Sequence, residues 1–241
     1  MMDYKIEVEK RVEWIKNYLK IAHADGIVYG NSGGKDCTLV SILCKMATDN
    51  VVGIILPCES KRNYGEDKTD AEKVGEQYGI HQEIIDLTDL KVIFREKLQP
   101  LCGDKVPMAY ANINPRLRMI ALYTYAQSHN YLVAGTGNRC ESTMGYFTKW
   151  GDGACDFNPI ADMKVSEIFG MLEYLGAPES IIKKVPSAGL YEGQTDELEM
   201  GFTYAQIEAD LDGDDSEVSR RIAQVERRTA HKRKMPAKYP E

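Results

Sequence analysis

Apolar positions recur along the chain at two spacings, and the alternation between them predicts the fold. Val8, Val12, Ile15 and Leu19 fall at helical spacing, which predicts an amphipathic helix over residues 3–22. Trp14, Tyr18 and Ile21 add a second apolar stripe, read as core or as a surface for a partner chain. Gly26–Tyr29 is a short β-prone run that ends in a glycine-rich turn. A helix follows from about Asp36 to Ala47. The continuous apolar run Val51–Leu56 has the character of a parallel strand covered on both faces. The pattern then gives a helix over about 66–78, a strand over His81–Leu87, a helix over 88–98 and a loop over 99–113. Leu117, Ile120, Ala121, Thr124 and Tyr125 predict a helix over 114–128, and Tyr131–Gly135 a fourth strand. This β-α-β-α rhythm implies a parallel sheet with right-handed crossovers.

Beyond Gly135 the character changes. Residues 137–163 are rich in Gly, Asp and Asn and read as loop. Helices are predicted over about 164–175, 178–184, 203–210 and 216–229. A loop covers 186–201, with a helix start at Asp196 inside it. With no repeat and no linker, the 241 residues read as one domain, residues 1–241, of the α/β class.

Composition narrows the function. Apolar residues at 43% and charged residues at 28% are ordinary for a globular chain. Met119–Asn138 is uncharged and long enough to span a bilayer, but Gln127, Ser128, His129 and Asn130 interrupt it, so no membrane span is expected. The N-terminus lacks an apolar signal core, and the expectation is a cytoplasmic protein. None of the six cysteines forms a CxxC pair, which fits free thiols in a reducing compartment. A net charge of −7 argues against a nucleic-acid partner. The charge is uneven: Arg220–Glu241 holds eight Lys/Arg against two Glu. That basic tail reads as an anion site, as a dock for a second subunit, or as a solubilising tail.

The chemistry sits between the first strand and the first crossover helix, at Gly30-Asn31-Ser32-Gly33-Gly34-Lys35-Asp36-Cys37. In an open α/β sheet ligands bind at the carboxyl ends of strands. A helix N-terminus there offers unpaired N–H groups to an anion, and glycines let the backbone approach it. Asp36 would repel phosphate without an intervening cation, so it implies Mg²⁺. The loop is not a Walker A sequence, because Lys35 is followed by Asp, and GxGxxG is absent.

The order strand, SGGxD, helix resembles the pyrophosphate loop of the ATP pyrophosphatase superfamily. Further stretches resemble the ammonia-dependent NAD synthetase family: Asn114–Met119, Gly135–Glu141, Gly145–Gly153, Pro159-Ile160 with Lys164, Pro186–Ala188, Gly193–Glu197 and His231-Lys232. The resemblance runs from about residue 25 to Lys232. It implies an open, Rossmann-like parallel sheet of the adenine-nucleotide α-hydrolase kind. It also implies a two-step reaction, in which deamido-NAD is adenylated by ATP with loss of pyrophosphate and ammonia then displaces AMP. By the same resemblance Asp36 and Glu141 are Mg²⁺ ligands and, with Lys164, the catalytic set. Residues 30–37, Thr136, Lys164 and Ser187 are ATP contacts, and Arg116, Lys149, Asp156, His231 and Lys232 are deamido-NAD contacts. Arg116 and Arg118 lie about 200° apart around a helix; the family pattern points to Arg116 and leaves Arg118 a structural role. Family members are homodimers with substrate at the interface. Three features of this chain fit that expectation: the Trp14/Tyr18 stripe, Met119 and Tyr123 on the 114–128 helix, and the basic tail, which could reach across to the acidic body of a second chain.

Cys37 departs from the family's serine. A thiol at a helix N-terminus is expected to have a lowered pKa and to be oxidisable. Competing readings are a tRNA thiolase or GMP synthetase type of pyrophosphatase and a nucleotide sensor without turnover. The acidic body and the missing CxxC speak against thiolation.

Overall fold

The computed structural model of the chain describes residues 2–59, 66–103, 107–184 and 195–239. Four parallel strands form one sheet: β1 (Gly26–Gly30), β2 (Val51–Ile55), β3 (His81–Ile84) and β4 (Tyr131–Ala134). Their spatial order is β3-β2-β1-β4. The chain walks outward through α2 (Lys35–Ala47) and α3 (Glu66–Tyr78). It then returns through α4 (Thr88–Cys102), α5 (Pro107–Ala111) and α6 (Ile113–His129) to lay β4 beside β1. The order therefore reverses between β1 and β4, and a crevice opens at their carboxyl ends.

Two cores follow from strand alternation. Ile27 and Tyr29 face α2 and the amphipathic α1 (Tyr4–Ala22), together with α8 (Val165–Leu175). Ile15, Leu39, Leu43, Ile168 and Met171 are fully buried there, and burial of each such side chain contributes about 1.5–3 kcal/mol. Val28, Val52, Ile54 and Val133 face Ile113, Leu117 and Ala126 of α6 on the other side. A third cluster packs Cys140 and Met144 of α7 (Arg139–Met144) against Phe202, against Tyr204 and Ile207 of α11 (Tyr204–Leu211) and against Ile222 of α12 (Glu217–Thr229). Two short helices, α9 (Glu179–Ile182) and α10 (Asp196–Met200), complete the α-helices of the described residues, and a 3-10 turn, Ala230–Lys232, follows α12.

The outline agrees with the sequence reading, and the differences have physical reasons. α7 lies inside the stretch 137–163 read as loop. Its signal was a capping box: Asn138 Oδ1 accepts from the Glu141 backbone N–H, and Glu141 accepts from the Asn138 N–H. The helix of 88–98 runs on to Cys102, with Pro100 inside its last turn, and α5 occupies part of the predicted 99–113 loop. β3 is an exposed edge strand that stops at Ile84 rather than Leu87. Among the described residues no helix is long and apolar enough to cross a membrane.

The apolar stripe of α1 is covered only in part, since Trp14 and Ile21 stay exposed, at 44% and 76%. Trp14 and Tyr18 stack on each other and lean on Phe157. Tyr123 donates to Asp156, and Met119 lines the central crevice. A further exposed apolar surface lies on α4. Leu90, Ile93, Phe94, Leu98 and Leu101 form a stripe down the outer face of α4, and Ile120 is exposed on α6.

Candidate active site

The crevice at the β1/β4 switch point is a cleft of about 690 Å³, within the size range of small-ligand pockets. Its floor is the turn after β1. Gly33 takes a left-handed conformation, φ 68°, and its N–H donates to Asn31 Oδ1, which folds the turn tightly. Gly34 caps α2 with no side-chain hydrogen bond. Among the described residues the first-turn N–H groups of α2 have no side-chain acceptor, which keeps their capacity to bind an anion. Asn31, Ser32, Gly34, Lys35, Asp36 and Cys37 all line the cleft.

The opposite wall follows β4. Gly135 is obligatory there by close packing: a Cβ would lie 2.5 Å from Cys155 Sγ. Thr136, Gly137 and Asn138 continue the wall and lead into α7, whose first turn carries Glu141. Asn138 is fully buried and couples the two walls. Its Nδ2 donates to Asp36 Oδ1 over 3.3 Å while its backbone N–H donates to Glu141 Oε2 over 3.0 Å. The two carboxylates are thus brought to one place by α2 and α7. Desolvation, and next the negative charge of Asp36, hold the Glu141 pKa well above the usual carboxylate range.

Lys35 supplies the local positive charge. Its Nζ is 2.7 Å from Asp36 Oδ2 and lies over the Tyr204 ring at 5.5 Å from the centroid. Burial alone would lower its pKa, but the charges of Asp36 and Glu141 outweigh that and raise it. Asp196 closes the back of the cleft: Tyr204 donates its hydroxyl to Asp196 Oδ2, and burial raises the acid's pKa.

Hard carboxylate oxygens on two facing elements suit Mg²⁺, which takes one or two protein carboxylates and lets phosphates and water supply the rest. Among the described residues no group of three or more His, Cys, Asp or Glu side chains is arranged to hold a metal by itself.

The other sequence-selected residues divide. Lys232 lines the cleft and donates to the carbonyls of Gly145 and Phe147, with its ammonium over the Phe147 ring. The tail thus folds onto its own chain, and Arg233 continues the clamp at the carbonyls of Ser142 and Thr143. Arg116, Lys149, Asp156 and His231 are outside the cleft lining. Arg116 donates to the carbonyls of Asn112 and Lys149, and Lys149 to those of His231 and Lys234. Asp156 accepts from the Val133 N–H, and the His231 ring contacts the Arg228 carbonyl. Lys164 also lies outside the lining. It precedes α8, and its ammonium is turned toward Asp212, which faces it across the α11–α12 turn. Ser187 falls outside the described residues.

Cations that the sequence reading passed over do reach the cleft. Arg118 lines it and donates from Nε to the Leu56 carbonyl, on the side of α6 away from Arg116. Lys184 lines it too, 2.9 Å from Asp70 and 3.4 Å from the Gly33 carbonyl of the anion loop. Two Lys in a row before Pro186 were the available signal for Lys184. For Arg118 the 200° rule was right that only one arginine of the pair faces the cleft, but the sequence does not say which.

The Cys37 thiol contradicts the expectation of a lowered pKa. It is buried and turned back on its own loop, toward Ser32 Oγ, Asn31 Oδ1 and the Gly34 carbonyl. Desolvation outweighs the helix N-terminus and pushes the thiol up. Of the six free cysteines only Cys102 is exposed. Alkylation of the folded chain, read by peptide mass spectrometry, is therefore expected to label Cys102 first and to leave Cys37 unmodified until the chain unfolds. Early labelling of Cys37 would refute its burial.

Comparison with known proteins agrees with this cleft. A profile of the NAD synthase family matches residues 7–236. The NH(3)-dependent NAD(+) synthetases of Archaeoglobus fulgidus and Carboxydothermus hydrogenoformans are 40% and 41% identical to this chain. Each match covers 98% of this chain, and 96% and 97% of the relatives respectively. Among solved structures, an NMN synthetase from Francisella tularensis superposes with a TM-score of 0.92 at 36% identity, covering 99% of both chains. An NH3-dependent NAD synthetase from Campylobacter jejuni superposes at 0.83 and 29% identity, covering 99% of this chain and all of the other. An anion loop, a facing carboxylate pair and full-length similarity lead to one conclusion: the chain is an enzyme that belongs to the NAD synthase family.

Proposed function

We propose that the chain converts deamido-NAD to NAD with ATP and ammonia, acting as one domain in the cytoplasm. The single observation that carries the chemistry is the meeting of Asp36 and Glu141, through Asn138, beside an open helix N-terminus. A carboxylate is a poor electrophile. The nicotinate oxygen attacks the α-phosphorus of ATP, the bond to the β-phosphate oxygen breaks, and pyrophosphate leaves with the electron pair. Ammonia then attacks the acyl carbon of the mixed anhydride, loses a proton, and expels AMP.

In this reading the first turn of α2 and the residues 30–37 bind the polyphosphate. Thr136 contacts ATP from the facing wall. Asp36 and Glu141 would hold Mg²⁺, which when bound neutralises phosphate charge. Lys184, already against the anion loop, is better placed than Lys164 to steady the leaving pyrophosphate. The six thiols, all free, suit a reducing compartment.

The active unit is a homodimer in this reading, and the exposed stripe of α4 supports it. Five large apolar side chains on one helical face are more than a monomer leaves in water without reason. Arg116 and Ile120 sit one turn apart on the exposed side of α6, so one of the deamido-NAD residues outside the cleft adjoins an exposed apolar side chain.

A second reading of the substrate rests on the Francisella NMN synthetase, whose fold matches at 0.92. There the acid amidated would be nicotinate mononucleotide, by the same two steps. One assay separates the readings. The pure chain with ATP, Mg²⁺ and ammonium is given each acid, and pyrophosphate and amide are quantified. Higher kcat/KM on deamido-NAD, with glutamine inactive once free ammonia is removed, is the expected result. Higher kcat/KM on the mononucleotide would establish the second reading, and glutamine-driven turnover would overturn the choice of ammonia.

A further inference from the structure

Lys35 is the resident cation of the carboxylate cluster. Its side chain is only 6% exposed, and its ammonium holds Asp36 Oδ2 at 2.7 Å while Asn138 takes Asp36 Oδ1. Both oxygens of the foremost carboxylate are therefore engaged. A divalent cation arriving at Asp36 would meet the ammonium at contact distance, where like charges repel strongly in a partly desolvated site. The ammonium also has somewhere else to go. Asp196 is 3% exposed, and while its Oδ2 accepts from Tyr204, its Oδ1 accepts no well-formed hydrogen bond among the described residues, with the Tyr146 hydroxyl close by. A buried carboxylate oxygen without a well-formed hydrogen bond is costly. Here it belongs to a residue that lines the same cleft, on the helix just before Tyr204, over whose ring the ammonium already lies.

We propose that Lys35 is a movable counter-ion: it keeps divalent metal off Asp36 in the nucleotide-free chain, and it moves toward Asp196 Oδ1 and the polyphosphate when ATP binds. The inference rests on the reading of Asp36 as a metal ligand and adds an order to it. Metal binds weakly alone and tightly with nucleotide, because nucleotide gives the ammonium a new partner.

The test measures metal binding rather than turnover. Mn²⁺ is titrated into the full chain and followed by the electron paramagnetic resonance of free Mn²⁺, without and with a non-hydrolysable α,β-methylene ATP. Lys35→Met, or Lys35→Gln if the first folds poorly, is expected to bind Mn²⁺ alone about tenfold or more tightly than the parent. The tightening caused by the analogue should shrink in the same variant. Lys35→Arg keeps the charge and should retain weak binding. Asp196→Asn should reduce the tightening by the analogue without raising affinity for Mn²⁺ alone. Folded Lys35 variants that bind Mn²⁺ no better than the parent, while Asp36→Asn abolishes the analogue-dependent site, would overturn the counter-ion and leave the metal reading intact. An Asp36→Asn chain that binds Mn²⁺ with the analogue as the parent does would overturn both.

Discussion

Glu141→Gln is expected to fold as the parent chain does and to lose about a hundred- to a thousandfold in turnover, the effect of removing several kcal/mol of metal-dependent transition-state stabilisation. The glutamine amide oxygen still accepts from the Asn138 N–H, so the capping box of α7 survives. Stability should not fall, because the folded state raises the Glu141 pKa through desolvation and the Asp36 charge. A carboxyl that holds its proton more tightly when folded costs stability as pH rises above the ordinary carboxylate range, and glutamine removes that cost near neutral pH. Asp36→Asn should lose turnover to a similar extent but also lose stability, by about 3 kcal/mol at most, because the buried Lys35 ammonium then lacks its contact partner. Pyrophosphate release at saturating Mg²⁺ and thermal unfolding at neutral pH measure the two effects separately. Near-parental turnover in either variant would remove that residue from the metal site, and unfolding of Glu141→Gln would make its role structural.

The contrast between these neighbours shows what a sequence conveys and what it withholds. The alternation of strand and helix patterns is set by period and placed β1 to β4 within a few residues. Strand order then placed the cleft, because Asp36 and Glu141 follow the two strands between which the order reverses. α7 was missed because its stretch is rich in residues that favour loops, while the capping box that starts it needs only two positions, Asn138 and Glu141. Directions of long side chains were the least legible. Lys164 and Lys184 are both lysines beside short helices, and only the packing of Asp212 and Asp70 decides that one turns outward and the other into the cleft. The Cys37 thiol failed for a related reason: the helix N-terminus is visible in sequence, whereas the burial that outweighs it is not.

The apolar surfaces followed the same rule. Periodicity marks a stripe but not what covers it: Phe157, far away in sequence, leans on the Trp14/Tyr18 stripe and covers part of it, while Trp14 stays 44% exposed. The 88–98 segment drew no attention as a surface, since an amphipathic helix normally turns its apolar face inward. In α4 the relation is reversed: Lys91 is the buried residue, paired with Glu59 at 2.8 Å, while the leucines, Ile93 and Phe94 face out.

That reversal makes the second large prediction. Phe94 and Leu98 are one turn apart near the middle of the exposed stripe, with Leu90 before them and Leu101, 84% exposed, after them. If the stripe closes against its copy in a second chain, these two are its central anchors, and central apolar anchors carry most of an interface's energy. Phe94→Glu with Leu98→Glu places four carboxylates in a two-fold contact, where they must be desolvated facing one another. The dimer dissociation constant is then expected to rise by about a hundredfold or more, so that the variant sediments as a monomer at micromolar concentration while the parent sediments as a dimer. Neither side chain packs in the cores, so the monomer should keep its thermal midpoint and its ATP affinity. Deamido-NAD affinity should fall, because Arg116 and Lys149 lie outside the cleft, with Arg116 one turn from the exposed Ile120. A monomeric parent with full activity would defeat the dimer. A dimeric double variant would move the interface off α4, and a monomeric variant with unchanged deamido-NAD affinity would place the substrate wholly within one chain.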